Sequence, residues 1–275
     1  QFGTEKWIEI TNISTTASVN PNLVKIQLYK DKTGSQLGET PSALYTVTAT
    51  LAPGKSVLFK NSANVIANLD ASANVIVNDI NPITAEKTVY DIISSGGNAI
   101  ANTDDITCYD ASFDIVNSAI KEFGNLHAVI NNAGNNRDRM FTSLSEDDWD
   151  QVIRVHLKGH FCISSHAAKY WRQQSKEGKS VNARIINTSS GAGLQGSVGQ
   201  TNYSAAKGGI LSLTLNQSAE LKRYGITANA VAPQGRTDMT EEVFADMMKI
   251  PEDGSFDKFD PANVAPLICF LVSEK

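Results

Sequence analysis

Asn74-Val75-Ile76-Val77-Asn78-Asp79 is the stretch on which the fold turns. A short apolar run closes on an acid, and Pro82 then stands where a helix begins, because proline suits a first helical position. Outward from it, strand and helix signals alternate. Gly96-Gly97 stops the first helix, and 98–102 predicts the next strand. Asp110 is placed to cap a helix running to Gly124. Residues 127–131 read as a strand. Ser145, with Asp148 in a capping-box place, starts a long helix reaching about 173. Strands follow at 184–188 and 226–231, with a helix between them that ends before Gly225. Helices are expected near 240–249 and 262–273. Strand alternating with helix is the signature of a parallel sheet covered by helices, which binds ligands at the carboxyl ends of its strands. Asp79, Asp105, Asn131, Ser190 and Pro233 all follow predicted strands.

Residues 1–70 have another texture, rich in Thr, Ser, Asn and Val. Trp7-Ile8-Glu9-Ile10, Val24-Lys25-Ile26-Gln27-Leu28 and Leu44-Tyr45-Thr46-Val47-Thr48 alternate apolar and polar side chains. That period of two marks half-buried strands. Ala52-Pro53-Gly54 is a turn before a further strand at 56–60. The segment looks like part of an antiparallel sandwich, weakly similar to lamin-tail-like immunoglobulin-type domains. The expected organisation is a β-rich segment over 1–70, read as a foreign join, and an α/β domain over 71–275.

The 275 residues are 41% hydrophobic and 19% charged, with a net charge of −5. Such mild acidity, with no basic cluster, argues against nucleic acid as a partner. Cys108, Cys162 and Cys269 are odd in number and widely spaced, which suggests neither a disulfide framework nor a zinc site. A reducing, cytoplasmic setting is expected. No apolar stretch reaches the roughly 18 residues of a membrane span. His127, His160 and His166 are scattered and form no metal-ligand pattern.

Chemistry enters with Tyr203-Ser204-Ala205-Ala206-Lys207 and, upstream, Asn187-Thr188-Ser189-Ser190. Residues four apart on a helix share a face, so the Lys207 ammonium is expected beside the Tyr203 phenol. A nearby cation favours phenolate and lowers a tyrosine pKa from about 10. A phenol tuned that way passes a proton to or from an alcohol oxygen, and a facing serine hydroxyl holds the same oxygen. Spacing favours Ser190 over Ser189. A Ser-His-Asp hydrolase is the competing idea for these serines, but no Gly-x-Ser-x-Gly elbow is present.

These residues resemble the short-chain dehydrogenase/reductase family, whose mark is Tyr-x-x-x-Lys with an upstream serine. Asn131-Asn132-Ala133-Gly134 resembles the family's Asn-Asn-Ala-Gly turn, Asp79 its acid after the second strand, and Asp105-Ile106 its adenine-contacting Asp-Val. Ala232-Pro233 and Arg236-Thr237 resemble the segment that closes over the nicotinamide. The resemblance covers roughly residues 72–275. Val155-His156-Leu157-Lys158-Gly159 and the run 193–200 are similar to a branch that includes the hydroxyacyl-CoA dehydrogenase unit of peroxisomal multifunctional enzymes.

The resemblance implies a Rossmann-like doubly wound parallel sheet and hydride transfer between a nicotinamide cofactor and an alcohol or ketone. Acyl-CoA and steroid-like molecules are among the implied substrates. Tyr203 is implied as general acid or base, Lys207 as partner of the phenol and of the nicotinamide ribose, and Ser190 as holder of the substrate oxygen. His156 stands where many members have a relay asparagine, and a structural histidine is the equal alternative. Asp79 is implied to take the adenosine ribose hydroxyls. A carboxylate there repels a 2′-phosphate, so NAD is expected over NADP. Asp105 is implied to take the adenine amine, with helix capping as its alternative. Asn131, Ala133, Gly134, Pro233 and Thr237 complete the implied cofactor set. Gly191-Ala192-Gly193-Leu194-Gln195-Gly196 fits Gly-x-Gly-x-x-Gly, yet it follows the catalytic serine and reads as a decoy. Members assemble through helices that pair across subunits, so a homo-oligomer is expected if the fold is intact.

Two family features are missing. No Thr-Gly-x-x-x-Gly-Ile-Gly precedes Asp79, and no last strand follows the final helix. Residues 56–67 carry apolar residues like a first strand but no loop glycine. The sheet is therefore expected to be incomplete, lacking its first strand-loop-helix. Ser62-Ala63-Asn64-Val65-Ile66 recurs as Ser72-Ala73-Asn74-Val75-Ile76, which fits two sequences joined at a shared stretch, with chance recurrence in an Ala/Asn/Ser-rich stretch as the alternative. The alternative function is a catalytically silent fragment or chimera with impaired cofactor binding. The chain begins at Gln1, as a fragment or a processed product would.

Overall fold

A computed structural model describes residues 73–236, 249–253 and 255–273, together with four strands nearer the start of the chain. Three of these, β1 (Ile8–Thr11), β2 (Leu23–Leu28) and β3 (Ala43–Thr48), form an antiparallel sheet in the order β1-β2-β3. The two-residue alternation read in the sequence falls on these strands.

The fourth, β4 (Ser56–Lys60), corrects the sequence reading. It was expected among the antiparallel strands, but it lies within the parallel sheet. Its residues pair with β5 (Asn74–Asn78) from Ser56↔Asn74 to Lys60↔Asn78, and Val57 and Leu58 pair with Ala128 and Val129 of β7 (Ala128–Asn131). The six-stranded sheet therefore begins before residue 70. Its order is β6-β5-β4-β7-β8-β9, with β6 (Asn98–Asn102), β8 (Ala183–Thr188) and β9 (Ile226–Val231). With β4 counted as strand one, this is the doubly wound order 3-2-1-4-5-6. The expected gap beside β5 is filled. The reason is local: an empty slot would leave the facing N–H and C=O groups of β5 and β7 unpaired.

Alternation along the strands builds two layers. Ile76, Val129 and Ile185 face one core with Ile115, Val116, Ile163 and Trp171. Val75, Val77, Ala128, Ile130 and Ile186 face the other with Ile92, Ile268 and Val272. Strands buried on both faces read as continuous apolar runs, which is why 74–78 was so legible. Asparagine pairs tie both ends of β5 to β6: Asn98 Nδ2 donates to Asn74 Oδ1 at 2.8 Å, and Asn78 Nδ2 to Asn102 Oδ1 at 2.6 Å.

The helices on the first core are α2 (Tyr109–Phe123) and a long run made of α3 (Glu146–Ile153), a π-helical turn (Arg154–Lys158) and α4 (Gly159–Lys176). Ser145 Oγ accepts the Asp148 N–H, the capping expected from sequence. At α2 the sequence reading is corrected: the N-cap is Cys108, and Asp110 lies inside the first turn. Asp105 organises this entry instead, taking the Thr107 N–H and hydroxyl on its two carboxylate oxygens at 2.8 and 2.9 Å. On the second core lie α1 (Pro82–Ser94) and, near the end of the chain, α7 (Ala265–Val272). Between β8 and β9 come α5 (Gly191–Gln195) and α6 (Thr201–Leu221). Gly225 then turns the chain at φ 78°, where a Cβ would collide with the Val181 carbonyl. The repeat at 62–66 and most of the helix expected at 240–249 lie outside the described residues.

Candidate active site

The carboxyl ends of β7 and β8 and the first turns of α6 place the chemistry. Ser189 and Ser190 follow β8, and their tasks separate. Ser189 is buried and donates to the Lys207 carbonyl at 2.9 Å, fixing α6 to the sheet. Ser190 caps α5 and also meets the Tyr203 phenol through its hydroxyl. Gly193 lets α5 lie directly on α6: a Cβ there would sit 2.6 Å from the Lys207 carbonyl carbon. Of the apparent Gly-x-Gly-x-x-Gly, Gly193 serves this helix packing, Gly196 takes a positive φ of 78°, and a Cβ at Gly191 would meet nothing within 4 Å.

Lys207 is buried, and its Nζ donates to the Thr188 carbonyl at 2.7 Å and lies 5.5 Å from the centre of the Tyr203 ring. Burial pulls its pKa down to about 7. A lysine near 7 is only part-charged at neutral pH. The expectation that its charge makes the phenol acidic is corrected. Burial holds the Tyr203 phenol above its ordinary value, the Ser190 hydroxyl pulls it down, and the Asp138 carboxylate pushes it up. The physical reason is desolvation, which disfavours each charged form and so moves lysine down and tyrosine up.

His156 occupies the π turn, a deviation from α geometry that often marks functional positions. Its ring is fully buried and meets the Tyr203 ring edge-on, centroids 5.2 Å apart. Nε2 is 3.1 Å from the Asn135 N–H and 2.8 Å from the Asn135 carbonyl. The same ring lies against Gly134, where any Cβ would strike it. His156 therefore anchors the loop after β7 and abuts the phenol ring at once.

The implied cofactor residues sort by surroundings. Asp79 ends β5 beside the sheet's centre; one oxygen accepts the Asn81 N–H at 2.9 Å, and the other takes no hydrogen bond from a described residue. Asn131 points into a buried amide network, donating to Ser164 Oγ and Asn187 Oδ1 at 2.9 Å each. Ala133 is buried, and Ile106 packs in the core over Gly159, which has no room for a side chain. Both carboxylate oxygens of Asp105 are engaged by Thr107 in a local turn ahead of α2, so Asp105 does not cap that helix either. Pro233 follows β9, and Thr237 lies outside the described residues.

Sequence reasoning missed the loop 135–139. Arg139 N–H donates to the Gly199 carbonyl at 2.8 Å, and Arg139 and Gln200 form a parallel bridge. Gln200 Nε2 donates to Asp138 Oδ2 at 2.8 Å. The buried Asn202 donates to the carbonyls of Arg137 and Asp148 and accepts the Tyr203 N–H at 2.8 Å. These partners are some sixty residues apart, and no local spacing signals such a meeting.

A nicotinamide cofactor fits part of this site. Asp79, the loop held by His156, and the Lys207–Tyr203 pair suit its ribose and nicotinamide ends. The pyrophosphate has no equivalent cradle in sequence: β4 ends at Lys60, β5 starts at Asn74, and the connection between them holds no glycine. Thirteen residues (61–73) meet the minimum of about a dozen for a parallel crossover. Among the described residues, no three His, Cys, Asp or Glu side chains are placed to share a metal ion, and no helix is long and apolar enough to cross a membrane.

Comparison with known proteins agrees with this architecture. A family described as short chain dehydrogenase matches residues 62–248. Hydroxyacyl-CoA dehydrogenase ChsB1 of Mycobacterium tuberculosis is 39% identical, the match covering 86% of this chain and 78% of that protein. Peroxisomal multifunctional enzyme type 2 of mouse is 37% identical over 77% of this chain but 28% of its own length. Among solved structures, a short chain dehydrogenase from Mycobacterium avium is 43% identical with a TM-score of 0.71, covering 80% of this chain and 77% of that one. Xylitol dehydrogenase with bound NAD+ superposes with a TM-score of 0.69 at 22% identity, covering 81% and 93%, a likeness of fold.

Proposed function

The chain belongs to the short chain dehydrogenase family, a family of oxidoreductases, and from that premise we propose that it interconverts a secondary alcohol and a ketone with Tyr203 as proton donor and acceptor. The observation that carries the reading is the convergence of Ser190, Tyr203 and Lys207 where β8 hands over to α6. Bound nicotinamide supplies or accepts the hydride. The residues of this chain handle the oxygen and its proton. Ser190 donates to the substrate oxygen and steadies it as charge develops. In reduction, Tyr203 gives its phenolic proton to that oxygen, and the resulting phenolate regains a proton from solvent. In oxidation the phenolate removes the hydroxyl proton. His156 supports the phenol by ring contact and holds the 135–139 loop.

The substrate class follows the hydroxyacyl-CoA dehydrogenase relative: a hydroxyacyl or oxoacyl thioester is proposed. NAD is proposed over NADP because Asp79 places a carboxylate at the end of the second strand in the sheet's order. The setting is proposed to be reducing and cytoplasmic, and a homo-oligomer is proposed by family likeness.

A specific observation favours a second reading. The connection from β4 to β5 has no glycine, and backbone N–H groups at a helix start are what hold a pyrophosphate. On this reading the site keeps its reaction residues but binds cofactor poorly. Calorimetric titration of NAD into the full chain separates the two. Saturable binding, weakened by D79N, is the expected result; no heat at millimolar NAD favours the silent form.

A further inference from the structure

We propose that Asp138 is a positioning residue: clasped by Gln200, it fixes the start of α6 and sets its negative charge within reach of the Tyr203 phenol. The inference rests on the reading of Tyr203 as the acid and base, and it assigns a further residue to that task. Four observations converge on it.

First, the clasp is in the right place. Gln200 is the residue immediately before α6, and its own side chain makes no cap bond to the helix. It reaches instead to Asp138 Oδ2 at 2.8 Å. Its carbonyl accepts the Ser204 N–H at 2.7 Å, so the residue that Asp138 holds belongs to the turn carrying Tyr203. Second, the loop is registered on that turn by its backbone as well, through Arg139 N–H to Gly199 and Asn202 to Arg137. The carboxylate is thus held in place against the helix start, where the macrodipole favours an anion.

Third, the other oxygen is unusual. Asp138 Oδ1 is closed off from solvent and takes no hydrogen bond from a described residue. A purely structural acid would be expected to satisfy both oxygens, because leaving one buried and bare is costly. Fourth, the charge acts on the phenol. It pushes the Tyr203 pKa up, in the same sense as burial and against the Ser190 hydroxyl.

The groups around the phenol account for the balance. Lys207 faces it from the same helix, part-charged near neutral pH. His156 faces it from the π turn. Ser190 bonds to it from the end of β8, and Asp138, held by Gln200 three residues before Tyr203, adds its charge from the loop after β7. Asp138 is the acidic member of this set. It keeps the phenol protonated to higher pH, which suits a proton donor in ketone reduction and delays the phenolate needed for oxidation.

The test reads the phenol directly. Tyrosinate absorbance is titrated in the full chain and in D138N, each against the same chain carrying Tyr203→Phe, so that the difference isolates Tyr203. D138N keeps an oxygen for Gln200 but loses the charge. The expected result is a Tyr203 midpoint moved to lower pH by about half a unit or more, with the alkaline limb of the reduction profile moving the same way. Q200L keeps the charge but releases it, and is expected to give a smaller shift in the same direction. A folded D138N with an unmoved midpoint overturns the proposal; if D138N does not fold, an unmoved midpoint in folded Q200L does so. Loss of turnover in Tyr203→Phe is a separate readout. Its absence would sink the role of Tyr203 while leaving the titration interpretable.

Discussion

At the scale of single residues, the same burial that builds the site also detunes it. Lys207 has its ordinary value of 10.5 pulled to about 7 by desolvation. Between those two values the unfolded chain binds the proton and the folded chain does not, so stability rises with pH across that window. The cost of burying Lys207 is full below about pH 7 and gone above about 10.5. K207M should therefore be more resistant to urea than the parent near pH 6, with the advantage shrinking toward pH 9 (about 3 pH units in all). An advantage independent of pH would show that the lysine is not held neutral. Residue identities were the most legible layer of the sequence. Tyr203, Lys207 and Ser190 were named from their spacing together with the family resemblance of the motifs around them, and the structure brings them together. The direction of the phenol's shift was not legible, because it depends on how much protein covers Tyr203. Asp138 and Gln200 were not legible either, since they meet only through the fold.

At the scale of elements, β4 is the instructive case. A five-residue strand with three apolar side chains, Val57, Leu58 and Phe59, fits an antiparallel edge or a parallel centre equally well, so periodicity could not choose. The choice is made by the partners: β5 and β7 each present an unpaired edge, and Ser56–Lys60 pairs with both. The neighbouring elements were legible because their punctuation is local. Pro82 opens α1, Gly124 closes α2 in the left-handed region at φ 76°, and Ser145 caps α3. The exception is Asp110, where an acid in the first turn was read as the cap itself. A truncation tests the placement of β4. Removing residues 1–50 should leave a cooperatively unfolding protein, because β1–β3 pair with one another among the described strands. Removing residues 1–61 should abolish cooperative unfolding or cause aggregation, since two central strand edges are then exposed. Equal stability of the two products would mean that β4 does not hold the sheet together.

At the scale of the whole molecule, a doubly wound sheet carries a Ser190, Tyr203 and Lys207 set that resembles its family and a β4 to β5 connection whose sequence lacks the family's glycines. The sheet order, the two apolar layers and the convergence at the ends of β7 and β8 are consequences of burying strands on both faces. On the second reading proposed above, the missing glycines would lower the affinity for cofactor and leave Ser190, Tyr203 and Lys207 in place. The two can therefore be separated by supplying cofactor in excess. The most direct measurement follows the loss of NADH absorbance with a 3-oxoacyl-CoA at saturating NADH, for the full chain and for Tyr203→Phe. Turnover by the full chain, reduced by about 100-fold or more in the phenylalanine variant, is the predicted result. Equal rates for both chains, or no turnover by either, would contradict the account.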